Sequence, residues 1–214
     1  MVTDFLQKDP ETALGMAAYM KNKFPFAGVK SPQRKEQEHA LLIASKKLTD
    51  DELHEQFATL YDLPEREYQY VAIDMMAHNV TRLTLDDLTW LSTYITNKPW
   101  WDSVDAIRGV IGHTVKRHPE WLSTVGTWYA KKPDFWQRRV GITLQLGFKR
   151  LTDETYLNDV LVDDLTTDEF FIQKAIGWAL RDYSKTNPEW VIAFMQDHRS
   201  VLSPLALREG SKNL

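Results

Sequence analysis

From residue 49 onward the chain repeats itself, and that period limits what it can fold into more than any other feature. Aligning Tyr68-Gln69, Trp101-Asp102, Trp136-Gln137 and Ile172-Gln173 gives intervals of 33, 35 and 36 residues, with Pro64, Pro99 and Pro133 near the start of three units. Each unit has room for two helices, as in Asp86 to Thr96 followed by Trp100 to Arg117. A period of this length is the mark of an α-solenoid, in which each helix pair buries its apolar face against the next. The fold class expected is therefore all-α.

The clearest member is Phe171 to Tyr183, whose apolar residues recur at the i, i+1, i+4, i+5 spacing of a buried helix. It ends at Thr186-Asn187-Pro188, where Pro188 can open the next helix. Residues 10 to 24 read as an amphipathic helix through Ala13, Met16, Ala17, Met20 and Phe24, with Tyr19 on its flank. A second helix should begin with Ser31 as cap and Pro32 at its first position. Arg34 and Lys35 crowd that opening turn against the helix dipole, which a phosphate or a distant salt bridge would explain. Val140, Ile142, Leu144, Leu146 and Phe148 alternate as in a strand, yet the repeat aligns them with helices. Gly141 and Gly177 share one repeat position, which suggests close helix packing.

At 214 residues there is material for one large domain or two small ones. Cysteine is absent, so there is no disulfide framework and no thiolate nucleophile, and a reducing cytoplasm is the simplest home. No stretch approaches the ~20 apolar residues of a membrane span, and the start has no basic flank followed by an apolar run; the reading is a soluble cytoplasmic protein. The net charge of -4 argues mildly against a nucleic-acid partner, but the charge is segregated. Residues 106 to 150 hold nine cations and two acids, whereas residues 151 to 170 hold seven acids and no Lys or Arg. A basic field of that kind can bind phosphates despite a negative total.

The stretch Lys98-Pro99-Trp100-Trp101-Asp102-Ser103-Val104-Asp105 places two indoles and two carboxylates in six residues after a helix-opening proline. Trp101 and Asp105 are four apart, so on a helix they share one face. An aromatic plate beside an anion is what a site offers a cation, although such residues also occur as packing near a helix start. Other enzyme signatures are missing: there is no Gly-rich phosphate loop, no His-Glu-x-x-His and no Gly-x-Ser-x-Gly. His113 and His118 have no third ligand nearby, and Asp163-Asp164 and Asp50-Asp51-Glu52 read as helix-start and loop acids without aromatic or basic partners.

Taken together, Met16 to Arg34, Leu63-Pro-Glu-Arg-Glu, Trp100-Trp-Asp-Ser-Val-Asp, Trp136-Gln-Arg-Arg and Phe171 to Tyr183 resemble the AlkD-like DNA alkylation repair glycosylases. The likeness covers roughly residues 10 to 210. It implies a superhelix of HEAT-like helix-pair repeats, a single domain over residues 1 to 214, that cradles duplex DNA. The implied activity is hydrolysis of the N-glycosidic bond of cationic N3- and N7-alkylated purines, with no cofactor, no metal and no obligate protein partner, by a monomer. Asp105 falls on the catalytic carboxylate and Trp101 and Trp178 on the two active-site tryptophans. Tyr19 falls on an aromatic of the same cleft, and Arg139 on a cation that holds the DNA backbone. Arg34, Lys35, Lys149 and Arg181 complete the expected DNA contacts, with Lys35 standing where the family often has a second Arg. Trp136 and Arg138 receive no role.

The repeat supports this grouping from another side. Counted from the aligned Gln or Asp, Trp101 lies at -1, Arg139 at +2, Asp105 at +3 and Trp178 at +5, so parallel helices would present all four on one wall. A solenoid of another class, binding DNA or a protein without catalysis, is the alternative; an anion set between indoles argues against it.

Overall fold

The computed structural model describes residues 4–214, which form two compact units with a division at Leu83 and Thr84. The described residues contain twelve α-helices and no strand.

The first unit holds α1 (Pro10–Tyr19), α2 (Ser31–Ser45), α3 (Asp50–Asp62) and α4 (Arg66–His78). Asp9 caps α1 through Glu11 N–H and Thr12 N–H, and Thr49 and Glu52 form a reciprocal capping box on α3. Both α2 and α3 pack on α4, burying Leu53, Phe57, Leu60, Val71, Met75 and Met76. The buried Glu67 carboxylate accepts hydrogen bonds from Ala27, Gly28 and Val29 N–H, which fastens the loop after α1. Gly28 is needed there: its φ is +87°, and a Cβ would lie 2.0 Å from Asp9 O. The first helix ends at Tyr19, earlier than the apolar pattern to Phe24 suggested. Ser31 is not the cap of α2 but its first residue; Lys30 stands at the cap without a side-chain bond.

The second unit holds α5 (Leu85–Ser92), α6 (Trp101–Arg117), α7 (Leu122–Thr127), α8 (Phe135–Thr143), α9 (Glu154–Val162), α10 (Phe170–Tyr183), α11 (Pro188–Asp197) and α12 (Pro204–Gly210). Here α6 packs on α8, α8 on α10 and α10 on α12, while α9 and α11 pack on α8 and α10. The even-numbered helices thus form a row, and the odd-numbered ones fill a second layer. The aligned Gln69, Asp102, Gln137 and Gln173 all fall in the first turns of even-numbered helices, so the repeat read from the sequence is the repeat of the structure.

Small residues permit close approach within the row. A Cβ on Gly112 of α6 would meet Leu144 O at 2.6 Å, and one on Gly177 of α10 would meet Glu209 Cβ at 2.5 Å. The segment from Val140 to Phe148 is helical only to Thr143 and then runs through turns. Contacts outside the helix break it: Gln145 exchanges hydrogen bonds with the Asp153 backbone eight residues on, and Gly147, at φ +80°, donates its N–H to Asp182 of α10.

Candidate active site

Pro99 precedes α6, whose first residue is Trp101, and Asp105 follows one turn later on the same face. The Asp105 carboxylate receives two hydrogen bonds from Arg139 of α8, Nε to Oδ1 and Nη2 to Oδ2, each 2.8 Å. Arg139 also donates from Nη1 to Phe171 O, 2.7 Å away in the first turn of α10. One guanidinium therefore spans three successive helices of the row. Because its fork is planar, the paired contact fixes the plane of the carboxylate as well as its position. Arg139 is buried, whereas the Asp105 side chain keeps 17% of its surface exposed.

Trp178 of α10 lies beside this pair, its ring centroid 5.9 Å from Arg139 Cζ. Behind the site an aromatic cluster sets the level of the helix starts. Trp100 meets Phe171 edge to face at 5.2 Å and Trp136 at 5.9 Å, and Trp136 meets Phe171 at 4.7 Å. Of the tandem tryptophans, Trp100 belongs to this packing and Trp101 stands half-buried on the Asp105 face. Trp136 and Arg138 are structural: Trp136 is buried in the cluster, and Arg138 donates to Lys132 O, Pro133 O and Asp164. That last contact corrects the sequence reading of Asp164, which is buried and has a basic partner reaching it from α8.

Of the four residues expected on one wall, the structure joins Asp105, Arg139 and Trp178 and places Trp101 on the Asp105 face of α6. Tyr19 ends α1 in the first unit and is 70% exposed. Arg34 is buried, donating to Glu38 at 2.7 Å and Asp74 at 2.6 Å, with its guanidinium over the Tyr70 ring. Of the two explanations offered for its place in α2, the salt bridge is the one formed. Lys35 and Lys149 are exposed. Arg181 is half-buried and pairs with Glu209 of α12 at 3.2 Å.

Sequence reasoning missed two residues of α6. Arg108 is half-buried with its Cζ 5.4 Å from the Trp178 centroid, and its Nε is shielded from solvent without a hydrogen-bond partner. Burial pushes its guanidinium below the usual pKa; Asp105 acts in the opposite sense, and Arg139 adds to the fall. Gly109 follows it, with nothing within 4 Å of the place a Cβ would occupy. The available signal was their spacing of three and four from Asp105. No group of three or more His, Asp or Glu side chains among the described residues is placed to hold a metal ion. A groove of about 790 Å³ beside α7 and α9, lined by Leu122, Gly126, Tyr156 and Val160, contains none of the residues around Asp105.

Fold and site define a helical-repeat protein that presents one oriented carboxylate beside an indole. The DNA alkylation repair enzyme family model matches residues 6–214, and the chain belongs to that family. It is 47% identical to a solved structure described as a predicted DNA alkylation repair enzyme from Enterococcus faecalis, covering 98% of this chain and 97% of that one with a TM-score of 0.95. AlkD2 from Streptococcus mutans shares the fold at 16% identity and TM-score 0.67, covering 94% of this chain and 99% of that one. So does smu.31 from Streptococcus mutans UA159, at 15% identity and TM-score 0.65, covering 95% and 99%. No curated protein matches.

Proposed function

We propose that this protein is a DNA glycosylase that hydrolyses the N-glycosidic bond of cationic N3- and N7-alkylated purines in duplex DNA. The observation that carries the reading is the Asp105 carboxylate, held in one plane by Arg139 beside Trp178. Membership of the DNA alkylation repair enzyme family supports alkylated DNA as the material it acts on.

The chemistry asks little more of the protein than that. When the bond between the sugar C1′ and the purine nitrogen breaks, its electron pair goes to a base that was cationic, which leaves neutral without an acid to protonate it. The sugar is the group that becomes charged, as an oxocarbenium ion. Glycosidases acting on neutral leaving groups use two carboxylates, one of them as acid; here a single anion is enough. Asp105 stabilises the sugar cation and orients a water, whose oxygen bonds to C1′ while its proton passes to the carboxylate or to solvent. At 4 Å and an effective dielectric of 20 this attraction is about 4 kcal/mol, roughly a thousandfold in rate. Trp101 and Trp178 add about 0.5 to 2 kcal/mol each by cation-π contact. Arg139 acts through Asp105 as a positioning residue. Neutral alkylated bases are poor substrates on this scheme, because nothing in it protonates a leaving group.

The test is incubation with duplex containing N7-methylguanine, followed by heating to reveal abasic sites. The wild type should release the base, and Asp105→Asn should do so about 10²- to 10³-fold more slowly. Equal rates for the two would remove Asp105 from its role. Tight binding of the duplex with no release by the wild type would leave a DNA-binding scaffold instead.

A further inference from the structure

Arg139 was expected on the DNA backbone, but three of its donors are engaged inside the protein and its side chain is 6% exposed. Arg108 is in the opposite condition. It stands three residues after Asp105 on α6 and shares the Trp178 indole with Arg139. Both Asp105 oxygens are already taken by Arg139, and Asp182, the other acid in its field, accepts from Gly147 N–H. Among the described residues Arg108 forms no ion pair, and its Nε makes no hydrogen bond. A half-buried guanidinium without a direct anion is costly, since desolvation is incurred and the Trp178 face with the more distant Asp105 and Asp182 charges offsets only part of it. The same arrangement binds an arriving anion strongly, because a charge-assisted pair in a poorly solvated place is stronger than one on the surface.

We propose that Arg108 is the phosphate ligand of this site, binding the phosphodiester that flanks the nucleotide whose sugar faces Asp105. The proposal rests on the glycosylase reading for the identity of that nucleotide. Geometry favours a phosphodiester over a carboxylate or a free anion: Arg108 and Asp105 are one turn apart on one face, and a nucleotide carries its phosphate one backbone step from C1′. The open space at Gly109, one turn after Asp105, lets that backbone approach α6 beside the carboxylate. The division of labour is then clear: Arg139 orients the carboxylate, and Arg108 fixes the register of the DNA against it. Its cation also offsets the cost of bringing a phosphate next to the Asp105 anion.

The experiment pairs a change in the protein with a change in the DNA. Duplexes carry one N7-methylguanine on a 2′-fluoro sugar, which resists hydrolysis, and each flanking phosphate is replaced in turn by a neutral methylphosphonate. Affinity of the full chain is read by fluorescence anisotropy. The wild type should lose about tenfold at one of the two positions. Arg108→Gln should bind the all-phosphate duplex about tenfold more weakly and lose nothing further at that position. Arg108→Lys, which keeps the charge, should retain sensitivity to the methylphosphonate, and circular dichroism checks that each variant is folded. If the losses from Arg108→Gln and the methylphosphonate multiply, or if the variant binds as well as the wild type, Arg108 is not the ligand. If Arg108→Gln does not fold, Arg108→Met takes its place in the same comparison, where losses that multiply exclude Arg108, and a wild type insensitive to both replacements excludes it as well. Base release from the ordinary sugar is scored separately, so a wild type that shows the predicted coupling but releases nothing refutes the glycosylase reading and leaves the phosphate assignment standing.

Discussion

Gly109 stands one turn beyond Asp105 on the same face of α6, and its Cβ position is open. A glycine inside a helix is costly by about 1 kcal/mol relative to alanine, and no contact at this position requires it. We expect Gly109→Ala to raise stability to urea by about that amount with the fold unchanged. Gly109→Leu should also fold, but its side chain would stand in the approach to the carboxylate, so base release should fall about tenfold or more. An active Gly109→Leu protein would show that substrate reaches Asp105 from another side. At this scale the sequence pointed to Asp105, Arg139 and Trp178 through the family resemblance, with their repeat positions in support, and it concealed Arg108. An arginine three residues after an aspartate on a helix reads as that aspartate's partner. Arg139, arriving from α8 with a better-aligned fork, displaces it, and no local pattern records that competition.

Among the elements, α10 and α12 illustrate how charge joins neighbours in the row. Glu209 of α12 is met by Lys174 at 3.1 Å and Arg181 at 3.2 Å, both from α10, and by Lys212 at 2.8 Å. Hydrogen bonding from Lys212 first, and from Lys174, holds its carboxyl down from the ordinary 4.5 to about 2, against burial acting the other way. A carboxyl depressed on folding contributes stability that is fully present above its unfolded pKa and lost as the pH falls toward the folded one. Glu209→Gln should therefore lower the Tm at pH 7, and the gap from wild type should close between about pH 4.5 and 2. A gap independent of pH would mean that the glutamate acts by packing alone. Two helix starts were readable from local signals, Pro99 just ahead of α6 and Pro188 at the start of α11, whereas α2 begins one residue before the sequence placed it. The stop of α8 was not readable, because Gln145 and Gly147 leave the helix for partners on other segments, Asp153 and Asp182.

For the whole molecule the relevant quantity is a net charge of -4 that conceals a basic stretch. Several of its cations already have internal partners: Arg138 with Asp164, Arg139 with Asp105, Lys131 with Asp163, and Lys116 with Gly147 O. Arg117, Lys149 and Arg150 stand exposed, so the field available to DNA is smaller than the sequence count of nine cations suggests. If Arg108, Lys149 and two further cations each neutralise one phosphate, log K against log salt concentration should fall with a slope of about -3.6. Affinity unaffected by salt would contradict a DNA partner. The helix-pair repeat was legible from spacing alone, whereas the separation into two compact units depends on contacts between residues far apart in sequence.

The guanidinium of Arg139, touching α6, α8 and α10 at once, behaves as a caliper. Its two jaws are set by how closely those helices lie, and that spacing is governed by residues well removed from the carboxylate. At Gly112 even a methyl group would press on Leu144 O and push α6 away from α8. Such a change would be read first at Asp105, as a carboxylate turned out of its plane, while most of the core stayed packed. Repair activity in this protein is in that sense a measurement of the spacing between helices, and its loss would warn of distortion in the second unit before melting did.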